Sequence, residues 1–219
     1  MQRSNNNGEN MFSPFNIYVK KHMQELPIYK AIIDDEFDGI TAISFVQYPA
    51  VESGFVQFAK QSKPLKFSVI DKQNKKVCAP IMRCDFPIYR IDENGNEYYL
   101  VYTKEVIETM ARKMLSENSY IGMNKEHNPN NPMDGVYLEE LFIKNVEKGI
   151  NPIGFENIEN YSLFGVYSIN NESIWQSICD GEFNGISIEG FFTYEIEDNT
   201  AIWGEILELM KECEKRNIK

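Results

Sequence analysis

Asn94-Gly95 stands between two apolar runs, Ile88-Tyr89-Arg90-Ile91 and Tyr98-Tyr99-Leu100-Val101-Tyr102. A pair of this type between extended segments is the strongest short-range signal for a β-hairpin, because both residues tolerate positive φ. It commits this part of the chain to antiparallel pairing. Asp92-x-Asn94-x-Asn96 has the rhythm of a calcium loop, but the glycine and the distal glutamate of an EF-hand are misplaced, so the hairpin reading prevails.

Other segments share the extended pattern. GITAISFVQYPAVESGFVQFAK, residues 39–60, reads as one or two strands broken at Pro49. Residues 135–146, 162–169 and 184–197 read as further strands, and residues 60–76 as a charged loop. Val106, Ile107, Met110, Met114 and Leu115 recur at helical spacing, which predicts a helix over 104–118 with a core-facing stripe. A short helix is expected over 170–183, capped by Asn170 or Asn171 and ended near Gly181. FNIYVKKHMQEL is expected to form another short helix before Pro27. Ile202, Ile206, Leu209, Met210 and Cys213 define an amphipathic helix at 200–219. The Asn-, Ser- and Gly-rich residues 1–14 are expected to be a disordered tail, leaving 15–199 as the main domain. Strands, helix, strands, helix, strand, helix is the order of an α+β fold with a mostly antiparallel or barrel-like sheet. No glycine-rich phosphate loop of the GxGxxG or GxxxxGK[ST] type occurs.

The net charge of −11 argues against a nucleic-acid partner, since phosphate contacts need clustered Lys and Arg. Cys78, Cys84, Cys179 and Cys213 form no CxxC pair, and only His22 and His127 could assist them, so neither a metal site nor a cofactor is expected. Residues 1–14 hold no apolar signal segment, and no run approaches the length of a membrane span. A soluble chain with reduced thiols, made in the cytoplasm, is the expectation.

Two short segments could carry chemistry. SYIGMNKEHNPNNPMDG, residues 119–135, places His127 at a strand end before a Pro-rich loop. FNGISIEGFF, residues 183–192, places Ser187 and Glu189 on one face of a strand, with Gly185 and Gly190 around them. A serine with a histidine at hydrogen-bond distance is a nucleophile with its base. The bland alternatives are a bulged strand with a polar outer face and a surface or capping histidine. Gly-x-Ser-x-x-Gly also differs from the nucleophile elbow of α/β-hydrolases. Candidate groups to orient His127 are Glu140, Asp134, Glu126 and Glu189. Glu140 is the preferred one, because a carboxylate within the apolar run VYLEELFI needs a partner. Cys179 paired with His127 is a weaker alternative, because Cys179 sits beside Trp175 on a core-facing helix stripe.

The segments GITAISFVQYPAVESGFVQFAK, APIMRCDFPIYRI, YYLVYTKEVIETMARKML, NKEHN, VYLEELFI and SIWQSICDGEFNGISIEGFF together resemble the phage serine protease family of the XkdF type. That family is similar to prohead maturation proteases and, more distantly, to herpesvirus assemblins. The resemblance runs in order from about residue 39 to 197. It implies a small, mostly antiparallel β-barrel surrounded by helices. It also implies endopeptidase cleavage of capsid and scaffold proteins inside an assembling prohead in the host cytoplasm, with Ser187 as nucleophile and His127 as general base. Assemblins use a second histidine as third member. His22 lies outside the resembling region, so an acid takes that place here, with Glu140 as the choice. Homodimerisation is an expectation by the same route. The competing expectation is a catalytically idle head-associated protein with the same barrel.

Overall fold

The computed structural model describes residues 26–33, 38–49, 66–92, 94–118 and 123–196. All of these except Leu26 fall within one compact unit, Pro27–Asp198. The expected tail at 1–14, the helix before Pro27, the strand around 54–58 and the helix at 200–219 lie outside the described residues.

Twelve strands and two α-helices are described: β1 Ile28–Ile32, β2 Gly39–Val46, β3 Ser68–Asp71, β4 Lys76–Met82, β5 Ile88–Ile91, β6 Glu97–Val101, α1 Lys104–Glu117, β7 Met123–Lys125, β8 Asn128–Pro132, β9 Val136–Ile143, β10 Leu163–Ile169, α2 Glu172–Cys179, β11 Gly185–Phe191 and β12 Thr193–Ile196. They form three four-stranded sheets, in the orders β12-β1-β6-β5, β3-β4-β10-β9 and β11-β2-β7-β8. The β1–β6 and β2–β7 pairs are parallel and the other ladders antiparallel.

This overturns the expected barrel surrounded by helices. Among the described residues no sheet closes, and this part of the protein is mostly β with two short helices. Closure needs the outer strands to pair in a consistent stagger. Here the outer strands are poor partners. β3 and β5 have four residues each, and β8 contains Pro129 and Pro132, which have no N–H to donate. The expected long strand over 184–197 also breaks. Phe192 lies between β11 and β12, packs edge-on against Tyr102 at 5.4 Å, and β12 leaves for a different sheet.

Local chemistry explains the elements that match. The hairpin at Asn94-Gly95 forms, pairing Ile88 with Leu100 and Ile91 with Glu97. Its turn is organised by Asp92, whose carboxylate accepts from the Asn94 and Asn96 N–H groups, while Gly95 takes a φ of 83°. Thr103 caps α1, which buries Val106, Ile107, Met110 and Met114 and ends at left-handed Asn118, while Leu115 stays exposed. Asn171 caps α2 by accepting from the Ser173 and Ile174 N–H groups. The helices pack on sheets, α1 against β2 and β9 and α2 against β10.

The main core gathers Ile43, Phe45, Ile81, Met82, Leu100, Ile107, Met110 and Tyr167 among others. Phe45 contacts Phe67 face to face and Tyr167 edge-on, and full burial of the Phe45 ring contributes about 1.5–3 kcal/mol. A smaller cluster of Cys78, Phe155, Ile158, Phe164 and Val166 lies under the loop after β9. That loop is held by Lys144. The residue is 1% exposed, and its ammonium donates to the carbonyls of Phe155, Glu156 and Ile158 at 2.7–2.9 Å.

Candidate active site

The sheet β11-β2-β7-β8 carries the candidate residues. β11 runs antiparallel to β2 with Ser187 opposite Ser44, and β7 runs parallel to β2 with Asn124 opposite Ser44. Ser187, Ser44 and Asn124 therefore form one row across three strands and point to one face. Glu189, two residues beyond Ser187, shares that face. β2 is buried along most of its length, so the Ser44 hydroxyl, in a 0% exposed residue, must find its partners inside the protein.

His127 reaches the row from a hairpin turn. Lys125 on β7 pairs with Asn128 on β8, so Glu126 and His127 are the two central residues. Their φ angles are 50° and 58°, the pattern of a type I′ turn. That turn usually takes Asn-Gly. Two larger residues in the left-handed region cost about 1–2 kcal/mol each. The turn is tied to the end of β2, where the Glu126 N–H donates to the Phe45 carbonyl and the Gln47 N–H donates to Glu126 Oε1.

The ring of His127 meets Glu189, with Nδ1 3.1 Å from Oε1. The same oxygen lies 2.7 Å from Ser44 Oγ and 3.1 Å from Asn124 Nδ2, while Ser44 Oγ is also 2.8 Å from Asn124 Oδ1. Burial pushes the Glu189 carboxyl up. Hydrogen bonds from Ser44, Asn124 and His127, with the charge of a protonated His127, outweigh it and hold the carboxyl below its ordinary value. The His127 and Glu189 side chains are 44% and 35% exposed, and a pair this open contributes about 0.2–1 kcal/mol. The strain of the turn exceeds that gain, so stability alone does not account for the placement of His127.

A bulge sits beside the carboxylate. The β11–β2 register shifts between Glu189 and Gly190. A Cβ at Gly190 would stand 2.2 Å from the Gly39 carbonyl oxygen, so only glycine allows the two backbones to approach this closely. Bulges re-aim neighbouring side chains, and this one lies next to Glu189.

The structure thus gathers Ser187, Glu189 and His127 on one sheet. Ser187 is 4% exposed, and no Ser187–His127 hydrogen bond is formed. Glu140 is elsewhere. It lies on β9 in another sheet, opposite Val166, exposed and electrostatically close to Lys76 and Cys78. The inference that a carboxylate in VYLEELFI needs a buried partner fails for a local reason. A register shift in the β9–β10 ladder relaxes the alternation, and both Glu139 and Glu140 reach solvent. Asp134 is exposed before β9, and Glu126 is engaged with Gln47. Cys179 is exposed at the end of α2 rather than core, and no contact joins it to His127. Ser44 and Asn124 escaped the sequence reading. The available signal was a hydroxyl inside the apolar run Ile43-Ser44-Phe45-Val46 of the central strand.

The sequence model of a family described as "Putative phage serine protease XkdF" matches residues 87–196. The chain belongs to this phage serine protease family. Among curated proteins and solved structures, none matches. The family match takes in His127, Ser187, Glu189 and Asn124, whereas β2 and Ser44 precede it. Among the described residues, no group of acidic, histidine or cysteine side chains is arranged to hold a metal ion.

Proposed function

We propose that this protein is a phage endopeptidase that cleaves capsid and scaffold proteins during head maturation, with Ser187 as nucleophile, His127 as general base and Glu189 as the acid behind the histidine. The observation that carries this reading is the contact of His127 Nδ1 with Glu189 Oε1, on the face of β11 that also presents Ser187. An acid on Nδ1 keeps the proton there and leaves Nε2 to work on the serine. Membership of the serine protease family supports the reaction class.

In the proposed cycle, His127 Nε2 takes the Ser187 proton as Oγ attacks the scissile carbonyl. The tetrahedral intermediate collapses as His127 returns that proton to the leaving amine. Water, activated by the same nitrogen, then hydrolyses the acyl-enzyme and restores Ser187. The Ser187–His127 hydrogen bond forms as substrate binds, since such bonds are often long in free enzymes.

Co-expression with a phage capsid or scaffold protein tests this. Ser187→Ala and His127→Ala should each abolish cleavage. Glu189→Gln should lower the rate by roughly 10³- to 10⁴-fold, the scale on which neutralising a triad acid acts. Glu140→Gln should leave it unchanged. Cleavage that survives in both Ser187→Ala and His127→Ala ends the assignment, and a loss confined to Glu140→Gln transfers the acid role to Glu140.

One observation favours a second reading, a catalytically idle head-associated protein: Ser187 is nearly buried and has no hydrogen bond to His127. Labelling of Ser187 by a fluorophosphonate, absent in Ser187→Ala, decides against it.

A further inference from the structure

Glu189 Oε1 is the meeting point of three donors. Ser44 approaches at 2.7 Å, Asn124 at 3.1 Å and His127 at 3.1 Å, from β2, β7 and the β7–β8 turn respectively. Ser44 and Asn124 are 0% and 4% exposed, and they contact each other as well as the carboxylate. Packing alone would favour an apolar residue at position 44, because a buried hydroxyl must be compensated. The compensation here is a charge-assisted bond to a partly open carboxylate, stronger than a neutral one. A carboxylate on a bulged outer strand, 35% exposed, would otherwise sample several rotamers.

We propose that Ser44 and Asn124 are positioning residues that pin Glu189 Oε1 against His127 Nδ1, so that the neutral imidazole carries its proton on Nδ1 and keeps Nε2 bare toward Ser187. This rests on the protease reading for its purpose, not for its geometry. Ser44 comes from β2, ahead of the family-matched stretch, so the acid is held by a strand that stretch does not include. The order of events is physical. The central strand supplies a rigid donor, the donor fixes one carboxylate oxygen, and that oxygen selects the histidine tautomer.

The tautomer is read directly by ¹⁵N NMR of the imidazole rings. Only His22 and His127 contribute signals, and His22→Gln assigns them. The intact protein should show His127 as the Nδ1–H tautomer at pH 8. Ser44→Ala and Asn124→Ala should each shift it toward Nε2–H, and Ser44→Thr, which keeps the hydroxyl, should restore the original pattern. In cleavage of a co-purified scaffold substrate, each alanine variant should lower kcat about 10- to 100-fold with KM nearly unchanged. Retention of the Nδ1–H tautomer in both alanine variants overturns the proposal. Should Ser44→Ala fail to fold, Asn124→Ala, in the middle of the three-residue β7, decides by the same readout. The protease reading fails separately, when wild type and Ser187→Ala cleave alike, whatever the tautomer shows.

Discussion

His127 occupies a position that physical preference would assign to another residue. Its φ of 58°, beside Glu126 at 50°, belongs to a turn that favours Asn-Gly. Replacing His127 by glycine removes about 1–2 kcal/mol of left-handed strain and forfeits about 0.2–1 kcal/mol from the exposed contact with Glu189. Glycine's extra unfolded-state entropy takes back roughly 0.5–1 kcal/mol, so His127→Gly should lie within about 1 kcal/mol of the parent. For a protein of this size that is about 2–4 °C in Tm. It should also be inactive. Thermal unfolding beside a cleavage assay checks this, and a clear loss of stability would make the histidine a structural residue. Lys144 is the opposite case. Its ammonium serves three carbonyls and touches no candidate site residue. Lys144→Met should destabilise the protein by about 3 kcal/mol, seen as a lower urea midpoint, while the folded fraction keeps its activity.

Among the elements, α1, α2 and the β5–β6 hairpin were legible because each carries its own local code: a 3.6-residue stripe, a capping asparagine, a turn pair. The β7–β8 hairpin was not. Asn-Pro-Asn-Asn-Pro carries every mark of a loop, and it becomes a strand only because β7 offers an edge and the strand is wholly exposed. The acid behind His127 was hidden for a similar reason. Glu189 and Glu140 each lie in a strand with apolar neighbours, Glu189 singly and Glu140 directly after Glu139. They are told apart by two bulges, one beside Gly190 and one in β9. The Gly190 bulge is testable. Gly190→Ala drives a methyl into the Gly39 carbonyl, so β11 must separate from β2 beside Glu189. The expected cost is about 1–3 kcal/mol, with cleavage lost even at temperatures where the variant is folded. Full activity in Gly190→Ala would detach the bulge from the site.

At the scale of the whole molecule, titration bounds the stable range from both sides. Asp71, Asp92, Glu105, Glu156 and Glu189 all have carboxyls held below their ordinary values in the folded state, in the first four mainly by backbone or side-chain hydrogen bonds. Each contributes stability that is present above its unfolded value, 3.8 for aspartate and 4.5 for glutamate, and is lost as pH falls through the folded one. Burial acts in the other direction on Cys78 and Cys84, whose thiols are pushed up from 9.0 to about 12. Their contribution is complete below pH 9 and fades as pH rises toward 12. The urea midpoint should be flat from pH 6 to 8, fall below about pH 4.5 and fall again above about pH 9. A midpoint still rising as pH falls below 4 would contradict the carboxylate assignment.

The strand that follows His127 has a colloidal consequence. Among the described residues β8 is an outer strand of its sheet, and an outer strand is where one molecule can recruit another into an endless ladder. Pro129 and Pro132 leave gaps in the donor row, and Asn128, Asn130 and Asn131 keep the strand hydrated. The net charge of −11 adds mutual repulsion between copies. The segment that presents the histidine is thus also a poor template for a further strand.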